Sequence, residues 1–118
     1  MTVLEGIHEF DSLKPNSFSQ EQKLRWLDRL DQFLQKTVLD RYPLRRKSLI
    51  LGDLQRELLL EGPFTEGYLY WLEAKVRYIG QDVEGYNGAM GMFRGILDDW
   101  QRELHRREKL EGPEDFKF

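Results

Sequence analysis

The sequence has no cysteine among its 118 residues, and this absence excludes several kinds of site. Without a thiol, the chain cannot form a disulfide framework, a thiolate zinc site or a cysteine nucleophile. Histidine is also scarce, because only His8 and His105 are present and neither lies in a metal-binding or catalytic spacing. We interpret both histidines as surface residues, and we expect no bound metal and no cofactor.

Long apolar runs and a surplus of basic charge are absent too. No apolar run approaches the length of a membrane span, and the opening residues MTVLEGIHEF lack the basic region and apolar core of a signal sequence. The formal net charge of −3 argues against a general nucleic-acid binder, whose domain is normally basic. We therefore expect a soluble protein that is made inside a cell and does not contact a membrane.

The residues that are present suffice for one globular domain. Hydrophobic residues make up 40% of the chain and charged residues 33%, a balance typical of folded proteins. A chain of this length builds one modest core. The glycines match neither the GxGxxG pattern nor the phosphate-binding loop with its lysine. We therefore do not expect an enzyme.

Helical periodicity predicts an all-α fold, a small helical bundle. Residues 2–13 can form a first short helix, which Lys14-Pro15 ends because the residue before proline disfavours helix. Ser19 followed by Gln22 is a capping-box pattern that opens a second helix over about 20–40. The side chains expected to be buried on this helix are Leu24, Trp26, Leu27, Leu30, Phe33, Leu34 and Val38. Those expected to face water are Asp28, Arg29, Asp31 and Lys36.

A second apolar seam runs from Tyr68 to Leu104 in steps of three and four residues. This spacing fits one helix of about ten turns, or two shorter helices joined by a turn. Because glycines and polar residues cluster near 80–85, we favour an antiparallel hairpin of helices 65–79 and about 83–107.

The chain before this hairpin is harder to assign. Segment 44–62 is rich in leucine but is interrupted by Gly52-Asp53, so helix, short strand and extended arm all remain open. Thr65 follows the break at Gly62-Pro63 and is expected to cap the next helix. The residues expected to form the core across the helices are Trp26, Leu30, Leu72, Val76, Tyr86, Met90, Phe93 and Leu97.

Four glycines, Gly85, Gly88, Gly91 and Gly95, project roughly 180° away from the apolar seam if their segment is helical. A glycine within a helix costs on the order of 1 kcal/mol relative to alanine. Such a face suits a place where the helix bends or where another backbone comes close. We predict that Gly88, Gly91 and Gly95 contact a helix of the same or an adjacent subunit.

Charged residues cluster in the last helix and at the start of segment 44–62. Asp98, Asp99 and Glu103 lie three and four residues from arginines, which indicates ordinary ion pairing rather than a carboxylate site. Two basic clusters fit either solvated charge or docking on an acidic protein surface. They are Arg45-Arg46-Lys47 and Arg102/Arg106/Arg107/Lys109.

Gly112-Pro113 is expected to end the last helix, because proline cannot continue it. Residues 1–111 would then form a single helical domain, and 112–118 an extended C-terminal tail. The two phenylalanines of this tail are either disordered or anchored in a partner groove. The residues predicted to dock on a partner are Arg106, Arg107, Lys109, Phe116 and Phe118.

Two motifs resemble a family of small tailed-bacteriophage and prophage proteins encoded among the head and neck genes. The first is DSLKPNSFS from Asp11 to Ser19, followed by Glu21, Lys23 and Trp26-Leu27. The second comprises Gly62-Pro63-Phe64, Tyr68, YWLEAKV over 70–76, Tyr78 and YNGAMGMF over 86–93. It is similar to the family's aromatic-Leu-Glu-Ala-Lys-Ile followed by Tyr-Asn-Asn-x-Met-x-Met-Phe-Asn. The ending Phe116-Lys117-Phe118 is similar to the family's short aromatic-basic ending, whereas Gly88 and Arg94 stand where the family usually has asparagine.

The resemblance implies a structural role. Members of the family look like head-to-tail connector adaptors, which are largely helical, form a ring under the portal and link it to the stopper or tail. By this resemblance, the chain would bind the portal protein, a stopper or tail-completion protein, and copies of itself in a dodecameric ring. DNA would pass through without specific binding. The protein would lie in the neck of the virion after synthesis in the cytoplasm of the host bacterium.

A rival interpretation from another class is a protein- or peptide-binding scaffold or regulatory module of a host cell. Tyr86, Ala89 and Phe93 partly match one helix-turn-helix unit of a helical-repeat protein. A single unit lacks the neighbours that complete its core. We therefore favour the adaptor.

Overall fold

The computed structural model of the protein describes residues 1–111, which contain four α-helices. Their bounds are Val3–Leu13 for α1, Gln20–Thr37 for α2, Glu66–Ile79 for α3 and Val83–Glu111 for α4. Three short 3₁₀ turns occupy Leu39–Arg41, Pro43–Arg45 and Gly62–Thr65. No strand occurs in the described range, so the predicted all-α class is confirmed.

α1 and α2 meet at a corner that surrounds a buried lysine. Lys23 Nζ donates to Asp11 Oδ1 at 2.6 Å and to Asn16 Oδ1 at 3.1 Å. Ser19 opens α2 as expected, since its Oγ accepts from the Gln22 N–H at 3.1 Å, but the reciprocal bond that would complete the predicted capping box is not made. The polar residues Asp11 and Asn16 of the first motif therefore have a structural role, because they accept hydrogen bonds from a buried ammonium group.

The buried face of α2 is the predicted one with two corrections. The expected residues that are buried are Leu24, Trp26, Leu27, Leu30, Leu34 and Val38. Phe33 is instead 60% exposed, and Asp28 and Asp31, which were expected to face water, are buried. Asp31 lies four residues after Leu27 and three before Leu34, so it shares their stripe of the helix.

Arg56 pairs with both buried aspartates of α2. Its guanidinium lies 2.7 Å from Asp31 Oδ2 and 2.8 Å from Asp28 Oδ1. The Tyr68 hydroxyl donates to Asp31 Oδ1 at 2.6 Å and accepts from the Leu60 N–H at 2.8 Å. Burial raises the pKa of Asp31, and it raises the pKa of Tyr68 well above its usual range. We call Asp28, Asp31, Arg56 and Tyr68 the buried polar cluster.

Segment 44–62 is an irregular arm that contains no α-helix and no strand, so of the three alternatives that the sequence leaves open only an arm remains. It is not extended throughout, because the chain turns at Leu51-Gly52 and again at Leu54-Gln55. The Val3 N–H donates to the Arg56 carbonyl at 2.9 Å, and the Leu58 N–H donates to the Met1 carbonyl at 2.9 Å. The leucines at the end of the arm, Leu58, Leu59 and Leu60, are buried in the core. The arm is therefore fixed by α1, by the buried polar cluster and by the core. Within the arm, the Arg56 N–H donates to the Asp53 carbonyl at 3.1 Å.

α3 and α4 form the antiparallel hairpin, and the alternative of one continuous helix is wrong. The rings of Trp71 and Phe93 lie 5.2 Å apart, and those of Tyr78 and Tyr86 lie 5.6 Å apart near the turn. Within the turn, Gln81 adopts a left-handed backbone with a φ of 59°. Because that conformation disfavours helix continuation, the chain reverses there.

The start of α3 differs from the prediction. Thr65 precedes the helix, but its hydroxyl donates to the Gly62 carbonyl at 3.0 Å and does not cap α3. Close packing at this end depends on Gly67, where an added Cβ would lie 3.0 Å from Leu60 and 3.4 Å from Ile96. The glycine that lets α3 approach α4 and the arm is therefore on α3.

One core joins residues from all four helices and the arm. Half of the residues predicted for it are buried, namely Trp26, Leu30, Leu72 and Phe93. Val76, Met90 and Leu97 are partly buried and pack against the core. Tyr86 does not join it, because this residue lies beside the turn and its ring contacts the exposed Tyr78.

Candidate interaction surfaces

The described residues hold no cluster that resembles a metal site. Within residues 1–111, no group of three or more His, Asp or Glu side chains could bind a metal ion. His8 and His105 are exposed, as predicted. None of the helices in this range is both long and apolar enough to span a membrane.

The charges near the end of α4 form pairs along the helix. Asp99 pairs with Arg102, and Glu103 accepts from Arg106 at 2.6 Å and from Arg107 at 2.8 Å. Hydrogen bonds from these last two arginines lower the pKa of Glu103 to about 2. This arrangement matches the predicted ion pairing for Asp99 and Glu103.

Arg107 of the basic cluster in α4 lies near the basic cluster at the start of the arm. Lys47 Nζ lies 2.6 Å from Glu61 Oε1, and this hydrogen bond is the main cause of a lowered pKa of Glu61. The charges of Arg107 and Arg45 lower it further. A cation from α4 and cations from the start of the arm therefore act on one carboxylate, although about 60 residues separate them in the chain.

A small apolar cleft lies beside these cations, and we call it the basic groove. Its volume is about 150 Å³. The buried residues of its floor are Leu39, Leu59, Trp100 and Leu104. The residues of its rim are Leu44, Arg45, Arg46, Lys47 and Glu61. Leu44 on the rim is 73% exposed, so an accessible apolar side chain lies next to the buried apolar floor.

The predicted docking residues are only partly brought together. Arg107 lies next to the basic groove, whereas helical spacing places Lys109 on the side of α4 away from Trp100. Arg106 is exposed and binds Glu103. Phe116 and Phe118 lie outside the described residues. The cations near Arg107 belong to the arm. Helical spacing within α4 could not predict this neighbourhood, because it relates only residues of the same helix.

The opposite end of the hairpin carries an exposed apolar cluster, which we call the hairpin tip. It comprises Tyr78, Ile79, Val83 and Tyr86. Tyr78 and Val83 are each 68% exposed and Ile79 is 49% exposed. Together with Asn87, these residues line an open pocket around the turn. Apolar clusters of this kind on a monomer often mark contacts with other molecules.

Gly88, Gly91 and Gly95 form a row along α4 on the C-terminal side of the hairpin tip, and we call this row the glycine edge. An added Cβ at Gly88, Gly91 or Gly95 would meet no atom within 4 Å. The predicted close contact with a helix of the same subunit is therefore wrong within residues 1–111, while contact with an adjacent subunit stays a prediction. Gly85 differs, because its N–H donates to Asp82 Oδ1 at 2.9 Å and an added Cβ would lie 2.4 Å from Asp82 Oδ2.

Comparison with protein-family models, with curated proteins and with solved structures found no match for this chain. The surfaces described above are thus the basis on which a function can be argued. The buried polar cluster is not one of them, because its side chains are covered and their bonds are made within the subunit.

Proposed function

We propose that this protein is a structural adaptor in the neck of a tailed phage, where it forms a ring between the portal and the stopper or tail. The observation that carries the proposal is the hairpin tip, an apolar cluster that no described part of the subunit covers. Its counterpart at the other end of α4 is basic. Two different surfaces at two ends suit the head-to-tail contacts by which copies of one chain close a ring.

The resemblance to phage neck proteins supports the same function. The first motif forms the α1–α2 corner, and the second extends from the end of the arm through the hairpin to Phe93. The residues that carry the resemblance thus shape two structural units, and they include Tyr78 and Tyr86 of the hairpin tip.

The partners follow from this role. One side of the ring would bind the portal, through Arg106, Arg107 and Lys109 together with Phe116 and Phe118, and the other side would bind a stopper or tail-completion protein. The ring would be dodecameric to match the portal. DNA would pass through it without specific binding, and the net charge of −3 favours passage because a strongly basic lining would hold the phosphates.

The decisive experiment measures assembly and portal binding. The purified protein is analysed by light scattering and electron microscopy, alone and with portal-bearing heads from the phage whose genes flank it. We expect rings or a portal complex. Val83→Ser at the tip should weaken assembly, whereas Leu13→Ser, which changes a side chain of similar exposure on α1, should not. A stable monomer that ignores the portal and binds peptides would instead favour the helical scaffold module.

A further inference from the structure

We propose that, in the free subunit, residues 112–118 fold back and bind the basic groove of their own chain. This inference concerns the subunit before it meets any partner, so it goes beyond the adaptor function and does not depend on it. Three observations support it: the chemistry of the groove, the direction in which α4 leads, and the length of the segment.

The groove and the segment have complementary chemistry. The segment reads Gly-Pro-Glu-Asp-Phe-Lys-Phe, so two acidic residues stand directly before two phenylalanines. The groove offers an apolar floor beside basic side chains. The cations around it are Arg45, Arg46, Lys47 and Arg107, and the carboxylates that already pair with them are Asp40, Glu61 and Glu103. Added acidic groups therefore meet a site with several cations close together.

α4 leads the chain out next to the groove. Trp100, Leu104 and Arg107 are spaced by four and three residues, so they share one stripe of the helix. The same stripe continues to position 111, where the described helix ends. Leu104 lies seven residues before that point, roughly 10 Å along the axis. A chain that turns at Gly112-Pro113 consequently leaves from the side of α4 that faces the groove.

The segment is long enough to reach this groove and too short to reach the hairpin tip. Phe116 lies five residues beyond position 111 and can extend about 17 Å, which covers the distance back to Leu104. Val83 at the tip is roughly 42 Å from position 111 along α4. Seven extended residues span at most about 25 Å. Of the two apolar surfaces, only the basic groove is available to the segment of the same chain.

The absence of cysteine makes a disulfide test clear, because two introduced thiols are the only ones in the protein. The test pair is Leu44→Cys with Phe116→Cys, at the rim of the groove and in the segment. The control pair is Arg102→Cys with Phe116→Cys. Arg102 is as exposed as Leu44 and lies within reach, roughly 14 Å before position 111, but it is on the opposite side of α4 from the groove.

Under mild oxidation at micromolar protein, we expect the test pair to form an intramolecular disulfide on the order of tenfold faster than the control pair. Replacing Glu114 and Asp115 by glutamine and asparagine should reduce this ratio, and so should added salt. Non-reducing electrophoresis and peptide mass mapping give the rates, and circular dichroism confirms that each variant is folded.

Two results would overturn the inference. Equal rates for the two pairs would mean that the segment visits both sides of α4 without binding. Disulfide-linked dimers as the main product would mean that the groove receives the segment of a second copy. The test is independent of the adaptor function, since portal binding is measured on the unmodified protein and can fail or succeed separately.

Discussion

At the scale of single residues, the Tyr68 hydroxyl joins three parts of the fold. It contacts Asp31 on α2 and the Leu60 N–H on the arm. Tyr68→Phe would leave both groups buried without this partner, so we expect a loss of about 1–3 kcal/mol in the free energy of unfolding. Urea denaturation measures the loss. Tyr70→Phe is the control, because its hydroxyl makes no hydrogen bond within residues 1–111, and it should leave stability unchanged.

Phe93 tests whether the hairpin seam is part of the core. The residue is 5% exposed and its ring contacts Trp71. Phe93→Ala should cost about 3–5 kcal/mol, because it removes a large buried side chain and leaves a cavity. Met92→Ala, at a neighbouring position that is 52% exposed, should change the unfolding midpoint little. An unchanged melting temperature for the Phe93 variant would contradict the packing of the seam.

Glu103 gives a pH dependence of known sign. Its folded-state pKa of about 2 lies below the ordinary value of 4.5, so its ion pairs stabilise the fold above that value and are lost as pH falls towards 2. Glu103→Gln should therefore show a smaller loss of stability on acidification than the unmodified protein. Asp31, whose pKa burial raises, contributes a slope of the opposite sign in both proteins. The urea midpoint of unfolding is measured for both proteins at neutral and at acidic pH. Because Asp31 contributes equally in both proteins, the difference between their changes in midpoint reports on Glu103.

At the scale of elements, α4 carries glycines with opposite roles. Gly91→Ala should stabilise the free subunit by roughly 0.5–1 kcal/mol, since nothing lies within 4 Å of the new methyl group. Gly85→Ala should destabilise it, because the methyl group would displace the Asp82 carboxylate that accepts from the Gly85 N–H at the start of α4.

The same edge can be tested in the assembly. Gly91→Leu or Gly95→Leu should leave the free subunit folded but impair ring formation if a neighbouring helix packs there. Thermal melting and light scattering separate the two effects. Normal rings from both leucine variants would show that the glycine edge faces open solvent in the assembly.

At the scale of the whole molecule, the C-terminal segment should matter for binding and not for folding. The core draws on the four helices and the arm within residues 1–111. Deleting 112–118 should therefore leave the helical circular dichroism unchanged and abolish attachment to portal-bearing heads. Full binding by the shortened protein would mean that the portal contact lies elsewhere on the subunit.

The sequence by itself determined the helices and their order. Apolar residues recur at three and four positions along α2, α3 and α4, and the breaks at Lys14-Pro15 and near 80–85 separate them. These signals are local, since each depends on residues within a few turns of the same helix. For that reason the hairpin, the α2 cap and most of the buried face of α2 could be predicted.

Only the tertiary structure decided the features that depend on residues far apart in the chain. Asp31 is buried because Arg56 and Tyr68, 25 and 37 residues away, neutralise and bind its carboxylate. The arm has no periodicity of its own and is held by these contacts and by α1. The basic groove likewise exists because the arm brings its cations to α4. Such pairings leave no trace in local spacing, because their energy comes from partners that become neighbours only when the chain folds.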